Sequence, residues 1–387
     1  MEYISTIFEQ VLRFVGRGRF EEEVQRVGAD RYTKHFTAWN QFIVNLYAQV
    51  TGKKSLRDIE VGMRMHQPRW YHWGLKNVAR STISYANSKR SWKVVEVLFY
   101  ETWKRCRDVS PRYRFRFKNP LLILDATTLD LCLTLFPWAR FQRRKGALKI
   151  HALLDARTEL PSFAVVTPGV PYDVRVAKES FLPLSRDSIL VVDKGYLDFA
   201  WLYSLTCQGV YFVIRTRENM KYRVVGQQAS SRAMDVLADE EIELTQKHSR
   251  SRYPGKLRLV TYYDQQEKRV YRFMTNNTEL AASTIARIYQ ARWEIEVFFK
   301  WIKQNLKIKT FLGTSPNAVL TQIWTALVYY LLLAYIKYQT SYYGTLTTLT
   351  RVLKESVGMR RDIIDLLKAS LSRVVKLRDP CQQPALL

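Results

Sequence analysis

Three acidic side chains stand out by their surroundings. Asp125 follows the all-apolar run Leu121–Leu124, and Asp193 follows the all-apolar run Ile189–Val192. Glu296 lies in the stretch Tyr289–Lys303, YQARWEIEVFFKWIK. Read as one helix at 100° per residue, this stretch gathers Tyr289, Arg292, Glu296, Lys300 and Lys303 within an arc of about 80°, with Trp293 on its border. One carboxylate is then ringed by cations and aromatics. Ile288, Ile295, Phe299 and Ile302 make the adjacent face apolar, which anchors such a helix on a core. Carboxylates converging from two strand ends and a helix offer hard oxygen donors. Such donors suit Mg²⁺, which keeps some of its waters and bridges to phosphate oxygens. A two-metal site activates a water or a 3′-hydroxyl and stabilises the leaving oxygen of an in-line phosphoryl transfer, so no base with a tuned pKa is required.

Other readings compete for these residues. A strand-end Asp is often a turn former or a helix cap. Arg292 and Lys300 suit Glu296 as simple i±4 helix partners. Asp130 lies five residues beyond Asp125, so on a continuous strand it points to the opposite face. Glu294 sits about 160° from Glu296 on a helix. Asp155 also ends a strand and stays open as a rival. The turn FQRRKG, Phe141–Gly146, places Arg143, Arg144 and Lys145 as candidate DNA contacts. Lys149 and His151, on the strand that follows, face either the site or the core.

The elements that must position these groups follow in order. Residues 1–110 read as mostly helical, with helical spacing in Ile4–Phe14 and Phe42–Tyr47 and a further helix over Lys54–Met65, capped by Ser55. Their many cations suit a DNA-binding domain. Pro111–Pro120 is a basic, proline-bounded joint. Leu121–Leu124 and Ile189–Val192 read as central buried strands. Between them come strands over Ala147–Ala156 and Leu160–Gly169 and a helix over Val174–Leu184. A helix over Leu197–Thr206 and a strand over Gly209–Thr216 follow. From 217 to 276 the pattern changes to alternation, and Lys256–Asp264 and Lys268–Asn276 flank a polar turn as a hairpin would. Helices are expected over 318–336, 346–357 and 360–375.

Composition bounds the partner more than the chemistry. The 387 residues exceed a typical single domain, and 47% hydrophobic content is ample for packed cores. Lys and Arg number 61 against 35 Asp and Glu, a net charge of +26, which favours a polyanion. The four cysteines lack paired spacing, so a reduced, cytoplasmic chain without disulfides or a thiolate zinc site is expected. The five histidines form no HExxH pair, which excludes that class of metalloprotease. The N-terminus lacks the charged-then-apolar layout of a signal peptide. Ala318–Ile336 is long enough for a bilayer, but its Thr321, Gln322 and Thr325 favour a buried core helix, and no membrane is expected.

Tyr289, Arg292, Glu296 and Lys303 match, without a gap, the Y-(2)-R-(3)-E-(6)-K signature of bacterial DDE transposases of the IS-four family. LLILDATTLDLCL resembles the first-Asp region of that family and VVDKGY its second. The resemblance spans Pro120 to Gly313, and DRYTKHF and KSLRDIE resemble, more loosely, the helical domain that precedes the core in one branch. It implies an α/β, RNase H-like catalytic core over 117–338 with a β-rich insertion at 217–276. A helical N-terminal domain over 1–110 and a helical C-terminal region over 339–387, serving dimerisation, flank that core. Asp125 then lies on the first strand, Asp193 after the fourth and Glu296 on a later helix. These three would be the catalytic metal ligands, for Mg²⁺ as two ions with Mn²⁺ as a substitute. Tyr289, Arg292 and Lys303 would contact phosphates near the scissile bond, and Trp293 and Lys300 are similar to further end-contacting positions. The implied activity is cut-and-paste transposition through nicking, a hairpin, its opening and strand transfer, by a dimer on two double-stranded DNA ends. A structure-selective nuclease on the same fold, or an inactive DNA-binding relative, is the alternative. One feature departs from the family. Hairpin-forming members stack a flipped base on an insertion-domain Trp, and this chain has none between Trp201 and Trp293. Tyr211, Phe212, Tyr222 and Tyr253 are the aromatic substitutes in reach.

Overall fold

The computed structural model describes residues 5–111, 117–142, 145–169, 172–228, 235–305 and 311–376. The chain divides into two compact units, Met1–Pro111 with Trp301–Leu387, and Arg112–Lys300. The first division falls in the basic joint. The second falls at 300/301, whereas the expected core ran on to 338.

Among the described residues the first unit opens with seven α-helices: α1 (Ile7–Arg13), α2 (Gly18–Arg26), α3 (Ala38–Thr51), α4 (Leu56–Arg64), α5 (Trp70–Trp73), α6 (Arg80–Lys89) and α7 (Lys93–Val109). Side-chain caps start several of them. Thr6 accepts from the Glu9 N–H, Ser55 accepts from the Asp58 N–H as expected, and Thr37 with Asn40 forms a capping box. Such caps satisfy backbone donors that the first helical turn leaves open.

The second unit is built on one mixed sheet. Its strands are β1 (Leu121–Leu131), β2 (Arg140–Gln142), β3 (Lys145–Asp155), β4 (Leu160–Pro168), β5 (Ile189–Val192), β6 (Tyr211–Arg215), β7 (Tyr222–Gln227), β8 (Val236–Leu244), β9 (Leu257–Asp264) and β10 (Arg269–Thr275). The order is β2-β3-β1-β5-β6-β10-β9-β8-β7, and β4 pairs with β3. β5 runs parallel to β1, and β6 parallel to β5, while β3, β4 and β10 pair antiparallel with their neighbours. β9 and β10 form the expected hairpin. β7 to β10 extend the central sheet beyond β6 rather than forming a sheet of their own. Helices α8 (Asp173–Glu179), α9 (Phe199–Cys207), α10 (Lys247–Arg252) and α11 (Ala282–Gln290) complete the unit, and α12 (Trp293–Asn305) begins in it.

Three local expectations need correction. Asp125 does not end its strand. β1 continues six residues past it, because β3 keeps pairing with β1 after the parallel partner β5 has stopped at Val192. The helix expected to reach Leu184 stops at Glu179, where Ser180 turns to an extended conformation; Pro183 then opposes any helical continuation. The stretch Tyr289–Lys303 is not one helix. At Ala291–Arg292 the ladder tightens, with Arg292 N–H on the Tyr289 carbonyl and Glu294 N–H on the Ala291 carbonyl. Tyr289 therefore belongs to α11 and Glu296 to α12. The expected apolar face is buried all the same: Ile288, Ile295, Phe299 and Ile302 all lie in the core.

A buried ion pair fixes the sheet extension. Arg258 on β9 donates Nε to Asp239 Oδ1 and Nη2 to Asp239 Oδ2, both at 2.7 Å, and Nη1 to the Leu280 carbonyl at 2.6 Å. Both side chains are almost fully buried. Removing one partner strands the other charge in low dielectric. Asp239→Ala is therefore expected to cost about 3–5 kcal/mol of stability, read as a lowered denaturation midpoint at unchanged slope. No loss would mean that Arg258 finds solvent or another acceptor.

The first unit resumes after α12 with α13 (Pro316–Gln339), α14 (Leu346–Ser356) and α15 (Ile363–Lys376). α13 packs on α3, α6, α7 and α14 within that unit. It is the one helix among the described residues long and apolar enough to cross a membrane, and 89% of its most apolar window is buried in the fold. That packing explains why the contacts group it with the N-terminal helices.

Candidate active site

Parallel register brings the candidate residues into one row. Leu124 pairs with Val192, and Val192 with Ile214. The next residues along each chain are Asp125, Asp193 and Arg215, and Arg215 pairs in turn with Phe273 on β10. Neighbouring strands lie about 4.8 Å apart. Two carboxylates, a guanidinium and an aromatic ring thus stand side by side. This is the edge where β5 and β6 end, the edge at which open parallel sheets bind ligands.

The tightened turn between α11 and α12 meets this row. The Tyr289 ring packs on Phe273 with centroids 4.6 Å apart, and its hydroxyl donates to Asp193 Oδ1 at 3.4 Å. Arg292 donates Nη1 to Asp125 Oδ2 at 3.3 Å and Nη2 to Glu296 Oε1 at 2.5 Å. The Ala126 N–H donates to Asp125 Oδ1 at 2.8 Å. Arg292 is thus the direct link between Asp125 and Glu296. Burial works against its charge, but Tyr289, Glu296 and Asp125 outweigh that and raise its pKa. Burial pushes the Tyr289 phenol up to about 12, helped by Asp193.

Asp125 is the perturbed carboxylate. Burial pushes it from 3.8 up to about 6; Ala126 N–H and Arg292 pull it back, while Asp193 and Asp173 push it further. Folding therefore binds a proton here more tightly than the unfolded chain does. The sign follows: without metal, this group's contribution to stability falls as pH rises from about 4 to about 6, by roughly 1–3 kcal/mol. Asp125→Asn is expected to lack that slope, so in EDTA the variant gains on the parent across this window. Parallel stability curves from pH 4 to 7 would contradict it. Tyr196 sits by the same carboxylates, which add to the burial that raises its phenol. Its buried hydroxyl has no hydrogen-bond partner among the described residues.

Lys149 and His151 both turn toward Asp173, the first residue of α8. Lys149 Nζ lies 2.8 Å from Asp173 Oδ1 and His151 Nδ1 lies 3.9 Å from it. His151 also shares a hydrogen bond with Thr167 Oγ1 at 3.0 Å. Burial lowers the imidazole to about 4 despite Asp173, so it is neutral at pH 7. The rival Asp155 ends β3 opposite Leu122, three residues beyond Ala152, the partner of Asp125, and accepts from the Arg157 N–H as a turn former. Asp130 is exposed near the end of β1, and Trp293, Lys300 and Lys303 are exposed on α12. Arg143 and Arg144 lie outside the described residues, as does the side chain of Lys145. Phe212 and Tyr253 are buried in the core and unavailable for stacking. The site adds groups that the sequence did not single out. Arg215 ends an apolar run, FVIR, with the same grammar as the two aspartates. Tyr196 closes the VVDKGY stretch without an apolar run before it, and Asp173 carries no such signal.

The donor set fits a hard divalent cation in chemistry. Asp125 and Asp193 are adjacent carboxylates, with the unpartnered Tyr196 hydroxyl in their field. Among the described residues, however, no three acidic, histidine or cysteine side chains stand close enough to hold a metal as they are. Arg292 lies between Asp125 and Glu296. A cavity of about 740 Å³, lined by Asp193, Arg215, Tyr262, Tyr271, Tyr289 and Trp293 among others, opens beside them.

Paired carboxylates, an arginine between acidic groups and an aromatic-lined cavity, on a chain of charge +26, are groups that can serve phosphodiester chemistry on nucleic acid. The chain belongs to the transposase DDE domain family, whose model matches residues 116–332. Residues 4–76 match a second model, a domain of unknown function, DUF4372. A probable transposase for insertion sequence element IS5377 from Geobacillus stearothermophilus is 29% identical over 83% of this chain and 83% of its own length. The putative transposase y4zB of Sinorhizobium fredii is 30% identical over 55% of this chain and 60% of its own length. Among solved structures, a piggyBac transposase synaptic complex with hairpin DNA aligns over 100% of this chain and 85% of its own, at 11% identity and a TM-score of 0.41. The family makes the chain a DNA transposase of the divalent-metal-dependent DDE type.

Proposed function

We propose that this chain moves an insertion sequence by cut-and-paste transposition, with Asp125, Asp193 and Glu296 as the carboxylates that hold Mg²⁺, as two ions, with Mn²⁺ able to substitute. The observation that carries this reading is the row that sets Asp125 beside Asp193 while Arg292 ties Asp125 to Glu296. The strand order β4-β3-β1-β5-β6, with β5 and β6 parallel to β1, supports an RNase H-like core. When bound, the ions activate the attacking water or 3′-hydroxyl and stabilise the leaving oxygen.

The chain's own residues orient the substrate. Arg292 offers its guanidinium to a phosphate oxygen, releasing Glu296 toward Asp125 and Asp193. Tyr289, hydrogen-bonded to Asp193, fixes that carboxylate's direction. Lys300 and Lys303, one and two turns beyond Glu296 on α12, give point charges along the backbone of the DNA. Trp293, 65% exposed, gives a stacking face. Arg143, Arg144 and Lys145 add backbone contacts. The helical segment 1–110 binds DNA, the core spans 117–338 with its β-rich insertion at 217–276, and 339–387 serves a homodimer that synapses two ends in the cytoplasm, with a hairpin on the transposon end as intermediate.

The test uses the full chain with duplexes carrying the inverted ends that flank its gene. Mg²⁺-dependent cleavage followed by joining of the 3′-hydroxyl to target DNA is expected. Cleavage without joining would point to a nuclease instead. Salt-sensitive binding without any cleavage would leave a DNA-binding relative.

A further inference from the structure

Beside Asp193, on the side away from Asp125, lies a second cleft of about 630 Å³ whose lining includes Lys194, Arg215, Arg217, Arg269 and Arg272. All five belong to the second unit. Lys194 follows Asp193 directly, and Arg215 stands next in the row and also lines the cavity at Asp193. The cleft therefore adjoins the candidate active site. Four of the cations are exposed. None of the five pairs with a carboxylate among the described residues, although Glu218 also lines the cleft. Arg215 is held by its faces instead: its guanidinium lies 4.7 Å from the Tyr271 ring centroid, and Tyr271 stacks on Phe273 with planes 11° apart. That stacking leaves the edge N–H groups of the guanidinium free to donate.

Five unneutralised cations in one concave surface repel one another, so the arrangement costs stability unless an anion fills it. One phosphate cannot satisfy five cations spread over the β5, β6 and β10 ends. A run of phosphates can. We propose that this cleft holds the backbone of the DNA strand that continues past the scissile phosphate. The inference rests on the transposase reading of the neighbouring carboxylates, and it adds a second anchoring surface built from β6 and β10. Two anchors, the cationic face of α12 and this cleft, hold a strand at two places. That constrains its direction through the site, which a single basic helix does not.

The experiment measures binding alone, so it does not depend on cleavage. The full chain with R217A, R269A and R272A together is compared with the parent for binding to a fluorescent duplex with a 3′ single-stranded tail, in EDTA, across a salt series. Each phosphate contact contributes about 0.7–0.9 to the slope of log K against log salt. The triple variant is expected to bind more weakly at low salt, with a slope shallower by about 2–3. The matching triple Lys variant, which keeps the charge, is expected to retain most of the slope. Near-identical unfolding midpoints for all three proteins show that the change is not a folding defect. An unchanged slope in the alanine variant overturns the cleft. So does an equal loss in the lysine variant, because charge is then not what the surface supplies. A parent that cleaves and joins DNA with an unchanged variant slope leaves the transposase reading standing and removes the cleft. A reduced slope in a parent that never cleaves does the reverse.

Discussion

Glu296→Gln is expected to lower strand cleavage and joining by about 10³-fold or more while leaving DNA binding within a few-fold of the parent. The size follows from losing one ligand of a site whose ions supply several kcal/mol to the transition state. The separation of the two readouts follows from the geometry. Glu296 Oε1 accepts from Arg292 Nη2 at 2.5 Å, and a glutamine oxygen still accepts there. The helix, the arginine and the cationic face of α12 all stay in place. Asp193→Asn should behave alike, because its asparagine oxygen still accepts from the Tyr289 hydroxyl. The measurement is cleavage and joining of labelled end duplexes under single-turnover conditions, with binding scored in parallel. Parent-like cleavage in either variant would remove that carboxylate from the site. Equal loss of binding and cleavage would make Glu296 a folding residue.

Arg292→Ala is the second large effect, for a different reason. Arg292 is the direct link between Asp125 and Glu296. In the absence of DNA and metal, the alanine leaves Asp125, largely buried and next to Asp193, with less compensation, so stability at pH 7.5 in EDTA should drop by about 1–3 kcal/mol. In catalysis the guanidinium is lost as a phosphate clamp, and a fall of about 10²–10³-fold is expected, the range for removing one preorganised donor at a developing charge. Arg292→Lys separates the two roles. The ammonium restores a cation beside Asp125 but not the fork that spans two acceptors. It should recover most of the stability and only part of the rate. Full recovery of both would make Arg292 a simple counter-charge.

How much of this was legible in the sequence differs by residue. The four-residue runs before Asp125 and Asp193 marked buried parallel strands, because strands covered on both faces read as continuous apolar runs. The DQQE turn between two alternating stretches marked the β9–β10 hairpin. Ser55 marked a helix start because its side chain replaces a missing helical acceptor. Asp125 as a strand end was misleading. Its chain continues as DATTLDL, whose Thr127, Leu129 and Leu131 are buried against its neighbours, and only the pairing partner shows where the parallel part stops. The break at Ala291–Arg292 had no local signal, since neither Gly nor Pro sits there. It accompanies the bonds from Tyr289 to Asp193 and from Arg292 to Asp125, which depend on residues 96 and 167 positions away. Arg215 was readable in principle as the third apolar run closed by a charge. Its place beside Asp193 depends on sheet order, which a single sequence does not carry.

The claim that Asp125, Asp193 and Glu296 share a metal site is tested most directly by mapping the ion itself. Fe²⁺ is added to the DNA-bound full chain with ascorbate and peroxide, and hydroxyl-radical cuts in the protein are located by mass spectrometry. Cuts clustered near residues 125, 193 and 296, competed away by Mg²⁺ and lost in Asp193→Asn, are the expected result. Cuts centred elsewhere, or an unchanged pattern in that variant, would contradict it.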